Sequence, residues 1–313
     1  MNSGRSDCVR VSDLTVQDFS SRLQQGVGLQ IGPFRAHLTA IVPGLDELLY
    51  RLYRDYPLVR DGSVFSFHAR IEERRQFPGI SKPFVRFSVD GRAPHEDLPA
   101  YQALPVLEWG INLVIALRSH AFLMLHSGVV EYGGNAMLLP AAPGAGKTTL
   151  CAGLALRDWR LLSDEFGLVR PGSTEFLPIP RPLALKNESI GIVREFSSNA
   201  WLGPEIPETR KGTVAHLRPP NDSLLESDRG ANVRWLVFPE YQAGAPTTLD
   251  PVRKHEAFMM LATNAFNYEL LGEGAYATVS GIVDRADCYR FVYSNLDDAV
   301  NELTLFAESS RAI

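Results

Sequence analysis

Residues 138–165 read LLPAAPGAGKTTLCAGLALRDWRLLSDE. The run Ala136 to Pro140 is wholly apolar, the composition of a strand buried in a sheet core. Residues 141–149 nearly match the pattern G-x-x-x-x-G-K-[ST]: Gly146, Lys147 and Thr148 fill its last three places and Ala141 stands at the first. Gly144 and Gly146 are expected at positive φ, which turns successive backbone N–H groups inward as an anion nest. A helix predicted over Thr148 to Arg157 points its positive end at the same place. Ala142, Pro143, Gly144, Ala145, Gly146, Lys147, Thr148 and Thr149 are therefore expected to surround a phosphate chain. Lys147 suits the β and γ phosphates, and the Thr148 hydroxyl suits Mg²⁺. Pro143 has no N–H to donate; it stiffens the loop and holds Ala142 extended. The plain alternative is a Gly-rich turn with an exposed lysine.

Working outward, a strand from Trp159 to Ser163 ends in Asp164-Glu165, seventeen residues after Lys147. Strand, loop, helix and strand within about thirty residues make one βαβ unit. Ligands of open α/β sheets bind at such strand ends. A carboxylate there can hold Mg²⁺ or take the proton of an attacking hydroxyl, and two can divide those roles. A solvated acidic turn is the competing reading. Upstream, Leu123 to Val130 reads as a strand and Tyr132 to Asn135 as a turn.

The texture changes near residue 120, which divides the chain into an N-terminal α+β region (1–119) and a second region (120–313). In the first, residues 12–25 pattern as a helix capped by Ser12 or Asp13. Residues 28–41 alternate as one or two strands, and Leu45 to Tyr56 has helical spacing. Val64 to Ile71 and Phe84 to Val89 alternate as strands before an Asp90-Gly91 turn. Leu104 to His120 reads as a helix with a strong apolar face.

The chain has 313 residues and a formal net charge of −5, from 31 Lys plus Arg against 36 Asp plus Glu. That balance lacks the basic face of a nucleic-acid binder. Cys8, Cys151 and Cys288 are too few and too scattered for a disulfide framework or a zinc site, so a reducing, cytoplasmic setting is expected. The N-terminus lacks the apolar core of a secretion signal. Arg118, Ser119, His120 and His126 break the most apolar stretch, Trp109 to Val130, before it reaches membrane-spanning length.

Further candidates lie downstream. Pro178 to Pro182 is a stiff extended segment carrying Arg181, followed by Lys186, Asn187, Glu188 and Ser189. Clustered cations near a phosphate loop suit transition-state charge, so Arg181 and Lys186 join Lys147 and Asp164 as catalytic candidates. Residues 210–218 form a basic patch behind a Pro-containing loop, which could cover a nucleotide, receive an acceptor, or simply be a charged turn. His126 reads equally as a core or a phosphate-side histidine. Arg234 to Phe238 reads as a buried strand. His255 to Leu271 reads as a helix with Phe258, Met259, Met260, Phe266 and Tyr268 in the core.

The segments LLPAAPGAGKTTL (138–150), LLSDEFGLV (161–169) and RPLALKNESI (181–190), with the strand His126-Ser127-Gly128-Val129-Val130, resemble the HPr kinase-related kinases of the kinase A type. They are similar more distantly to the catalytic domain of HPr kinase/phosphorylase. The resemblance covers about residues 120–220. It implies a P-loop kinase domain of the HPr kinase and phosphoenolpyruvate carboxykinase type, using ATP and Mg²⁺ to phosphorylate a hydroxyl acceptor such as a protein serine. It makes Thr148, Asp164, Glu165 and Glu188 the candidate metal ligands, Asp164 the base, and a homo-oligomer possible. The paired carboxylates depart from the Asp-Asp of HPr kinases, and RPLALKNESI stands where those enzymes carry an acidic, Gly-rich run. The acceptor, whether protein, peptide or small molecule, is left open. A nucleotide-gated binding protein and a P-loop ATPase are the rival functions.

Overall fold

The computed structural model describes residues 9–60, 62–75, 82–142 and 144–310, so Cys8 and Pro143 lie outside the described residues. The fold is mixed α/β, with three sheets among the described residues. The N-terminal region runs α1 (Val16–Gln25), β1 (Val27–Ile31), β2 (Phe34–Ile41), α2 (Leu45–Leu52), β3 (Phe67–Arg74), β4 (Phe84–Val89), β5 (Leu98–Pro99) and α3 (Ala103–Arg118). Its five strands form one sheet in sequence order. Helix α1 starts later than its pattern suggested. Thr15 is its cap, with Oγ1 accepting from the Asp18 N–H at 3.1 Å, while Ser12 and Asp13 lie in a preceding 3-10 turn. Ala100–Arg118 is long and apolar enough by composition to cross a membrane, yet 61% of that window is buried within the protein.

The remaining chain runs β6 (Leu123–Tyr132), β7 (Asn135–Pro140), α4 (Lys147–Ala155), β8 (Arg160–Ser163), β9 (Phe166–Val169), β10 (Glu175–Leu177), β11 (Leu183–Lys186) and α5 (Glu188–Phe196). There follow β12 (Ile206–Thr209), β13 (Gly212–Leu217), α6 (Asn221–Leu225), β14 (Ala231–Tyr241), β15 (Thr248–Pro251), α7 (Lys254–Thr263), α8 (Tyr268–Leu271), α9 (Glu273–Arg285), β16 (Asp287–Tyr293) and α10 (Leu296–Ser309). The large sheet has the order β10-β9-β6-β7-β14-β16-β15, with β8 also paired to β6. Strands β11, β13 and β12 make a third, small sheet.

The expected βαβ unit takes a particular form. Strand β6 is antiparallel to β7 on one side and to β8 on the other, so β7 and β8 run parallel with β6 between them. Val129 on β6 pairs with Leu138 of β7 and Ser163 of β8, which brings the ends of both strands to one place. Helix α4 packs behind them through Leu150 and Leu154, both fully buried and each worth about 1.5–3 kcal/mol of apolar burial.

The single helix expected over His255 to Leu271 is broken. His126 N–H donates to Asn264 O at 2.7 Å and Phe266 N–H to Met124 O at 2.9 Å, so this backbone pairs with β6 instead of continuing a helix. The Asn267 side chain fixes the break by bonding Met124 N–H and Phe122 O. Met259, on α7, and Phe266, in the break, were expected in the core and are exposed.

The N-terminal sheet and helices share one apolar core with Phe122, Met124, Phe166, Leu168 and Ile179 from beyond residue 120. The core therefore continues across the change of texture.

Candidate active site

The loop between β7 and α4 has the backbone its glycines promised: φ is +91° at Gly144 and +83° at Gly146. Helix α4 begins at Lys147, one residue earlier than its pattern suggested, and ends at Ala155. Tyr293 of β16 donates its hydroxyl to Gly146 O at 3.2 Å, and a Cβ at Gly146 would collide with that hydroxyl. Glycine is thus required there by both conformation and space. Burial pushes the Tyr293 hydroxyl pKa upward, so it stays a neutral donor.

Lys147 is 7% exposed, and its Nζ is buried without a hydrogen-bond partner. An ammonium left unpaired at that depth is costly unless an anion arrives to pair with it. Ala142, Gly144, Gly146, Lys147, Thr148 and Thr149 line a cleft of about 720 Å³ with Glu165, Lys186 and Lys211. Ala145 donates its N–H to Ala142 O at 3.2 Å, which closes the turn behind that cleft.

Asp164 and Glu165 form a bend between β8 and β9, strands that occupy successive stretches of β6. Glu165 lies on the cleft, with Oε1 at 3.8 Å from His126 Nε2. His126 faces the same cleft against Phe266, and burial followed by the charge of Lys147 lowers its pKa. Asp164 lines an adjoining cavity of about 290 Å³ that it shares with Thr148, Glu165, Arg181 and Lys186. Burial first, and the neighbouring Glu165 second, push its pKa up to about 7 against the pull of Lys147 and Arg181. Desolvation dominates because no fully paired cation offsets it.

Arg181 is buried and held from outside its own segment. It pairs with the Glu108 carboxylate of α3 and donates to Glu108 O at 3.1 Å, while its Nη1 has no partner. Tyr53 donates to the same carboxylate, and Tyr56 Oη donates to Pro180 O at 2.8 Å. Arg181 is thus a fixed positive charge beside Asp164, unlike a mobile cation. Lys186, at the end of β11, lines the cleft, the cavity and a third hollow of about 630 Å³. Burial and then Lys211 lower the Lys186 pKa.

That third hollow holds Glu188, at the first turn of α5, together with Gly144, Thr149, Tyr241 and Tyr293. Glu188 shares none of these hollows with Asp164 or Glu165, so the expected metal set is not brought together whole. Among the described residues, no three His, Cys, Asp or Glu side chains converge as a metal site. Thr148 and Glu165 do share both the cleft and the cavity, an oxygen-donor pair suited to Mg²⁺ completed by phosphate and water. Residues 206–217, expected as a loop and basic patch, are a β-hairpin with Arg210 and Lys211 at its turn beside the cavity.

Glu108, Trp109 and the Tyr53–Tyr56 pair were not singled out from the sequence. They sit inside apolar helical patterns, and only a charged Glu within the α3 run gave a signal. The chain matches no family model and no curated protein.

Proposed function

We propose that this chain is an ATP-dependent phosphotransferase, a P-loop kinase of the HPr kinase-related type it resembles. The observation that carries the reading is that the cleft lined by Lys147 adjoins the cavity lined by Asp164, the two sharing Thr148, Glu165 and Lys186. Lys147 offers a buried, unpartnered ammonium to an anion, and Asp164 offers a buried base in the adjoining cavity.

In this reading the triphosphate lies along the N–H groups of Gly144, Gly146, Lys147 and Thr148 at the start of α4. The nucleoside end occupies the hollow beside Tyr241 and Glu188. Thr148 and Glu165 would hold Mg²⁺, which when bound neutralises phosphate charge. Lys147 and Lys186 hold the β and γ oxygens. Asp164 accepts the proton of the acceptor hydroxyl as its oxygen bonds to the γ phosphorus. The bond from that phosphorus to the β–γ bridging oxygen breaks, and ADP leaves with that oxygen. Arg181, held by Glu108, keeps Asp164 ionisable in a dry site. The buried free thiols of Cys151 and Cys288 fit the cytoplasmic setting inferred from composition.

The test follows the γ-phosphoryl label of ATP. Transfer to an acceptor other than water supports the kinase, and release only as inorganic phosphate replaces it by an ATPase. Binding without turnover leaves a nucleotide-gated binder. Lys147→Ala is expected to weaken ATP binding at least tenfold, the loss of a charge-assisted contact.

A further inference from the structure

The second cavity has a chemistry of its own. Its volume is about 290 Å³. One wall is α3, presenting Trp109, Asn112 and Leu113; another is Phe166 and Ile179 of the large-sheet region. The β12–β13 turn contributes Arg210, which faces this cavity and neither the phosphate cleft nor the nucleoside hollow. Among the described residues Lys186, Arg210 and Lys211 have no ion-pair partner. Lys211 Nζ stands 5.4 Å from the Trp109 ring centroid. The Trp109 indole N–H is buried and finds no acceptor in the protein.

We propose that the phosphoryl acceptor is a small hydroxylated organic anion with an apolar body, bound between Trp109 and Phe166 with its anionic group on Arg210. This rests on the phosphotransferase reading and names its substrate class. The apolar walls take the body, and the buried indole N–H has a ligand oxygen to donate to. Lys147, Lys186 and Lys211 all line the phosphate cleft, which leaves Arg210 for the acceptor's own charge. The acceptor hydroxyl gives its proton to Asp164 and gains the phosphoryl group, and ADP departs.

A protein serine fits this cavity poorly. Asp164 is 8% exposed and a seryl side chain is short, so the peptide backbone would have to enter as well. Its N–H and C=O groups would then lie against Trp109, Leu113, Phe166 and Ile179 without partners.

The experiment gives the full-length protein γ-labelled ATP and Mg²⁺, with either the dialysable or the retained fraction of a cell lysate. Asp164→Asn protein sets the background. Label is expected in an organic phosphate of the dialysable fraction, and chromatography of that product against hydroxy-carboxylates and phosphorylated alcohols identifies the anion. Arg210→Gln, at an exposed turn, is expected to raise the KM for that acceptor about tenfold or more with kcat and ATP affinity little changed. Trp109→Ala should act in the same sense. Label in retained protein overturns the small-molecule acceptor and leaves the kinase reading intact. Label only in inorganic phosphate overturns both. An acceptor KM unmoved in both variants overturns the cavity assignment.

Discussion

Asp164 is the residue on which the proposed chemistry and stability oppose each other. Its folded-state pKa is near 7 because burial and Glu165 disfavour the charged form. In the unfolded chain an aspartate ionises near 4. Between those values the folded protein holds a proton that the unfolded chain has released, so stability falls as pH rises through that window. Below it both states are protonated and the penalty vanishes. Asp164→Asn in the metal-free, nucleotide-free protein is therefore expected to gain about 2–4 kcal/mol at pH 8. The gain should disappear below about pH 4, as denaturant midpoints at the two pH values will show. An equal gain at both would mean that packing, not charge, sets the difference. That Lys147 and Asp164 lie near each other was legible in the sequence, because a Gly-rich turn, a helix and a strand follow one another within about thirty residues. Glu108 was not, because its partner Arg181 lies far along the chain and no local pattern pairs them.

At the scale of elements, the site depends on how closely α4 lies on β6. Gly128 of β6 faces Cys151 of α4, and a Cβ at Gly128 would collide with Sγ and reach within 3.6 Å of Lys147 Cγ. Gly128→Ala should push α4 off the sheet, displace Lys147 and lower ATP affinity about tenfold or more. Adding Cys151→Ala removes the colliding sulfur and should restore most of the loss, as calorimetric titration of the two variants will show. No restoration would place the cause elsewhere than in this contact. The strand, loop and helix of this unit were readable from residues 136–163 because periodicity and glycine placement are local. The insertion of β6 between β7 and β8 was not, since register across a sheet is a non-local choice. The break between α7 and α8 escaped the periodic pattern for the same reason: it comes from backbone pairing to β6.

For the molecule as a whole, the two sides of residue 120 share a core and a buried charge pair. Glu108 and Arg181 are 2% and 5% exposed, and Tyr53 donates to the same carboxylate. Glu108→Ala leaves an uncompensated buried guanidinium and should cost about 3–5 kcal/mol. Full-length protein should still unfold in one transition, with fluorescence and circular dichroism coincident. Two separated transitions would show that the N-terminal region is an independent body. The change of texture near residue 120 was visible in composition, but the make-up of the shared core was not, because it joins Phe122, Phe166 and Ile179 to distant helices. The same joining makes the cavity beside Asp164, whose walls come from both sides. The central claim is that Asp164 takes the acceptor's proton while Lys147 and the loop hold the nucleotide. A rapid-quench single turnover with γ-labelled ATP tests it most directly. The wild-type protein should move label to an organic acceptor, while Asp164→Asn should bind ATP with similar affinity and transfer at least about a hundredfold more slowly. Equal transfer by both proteins, or label released only as inorganic phosphate, would contradict it.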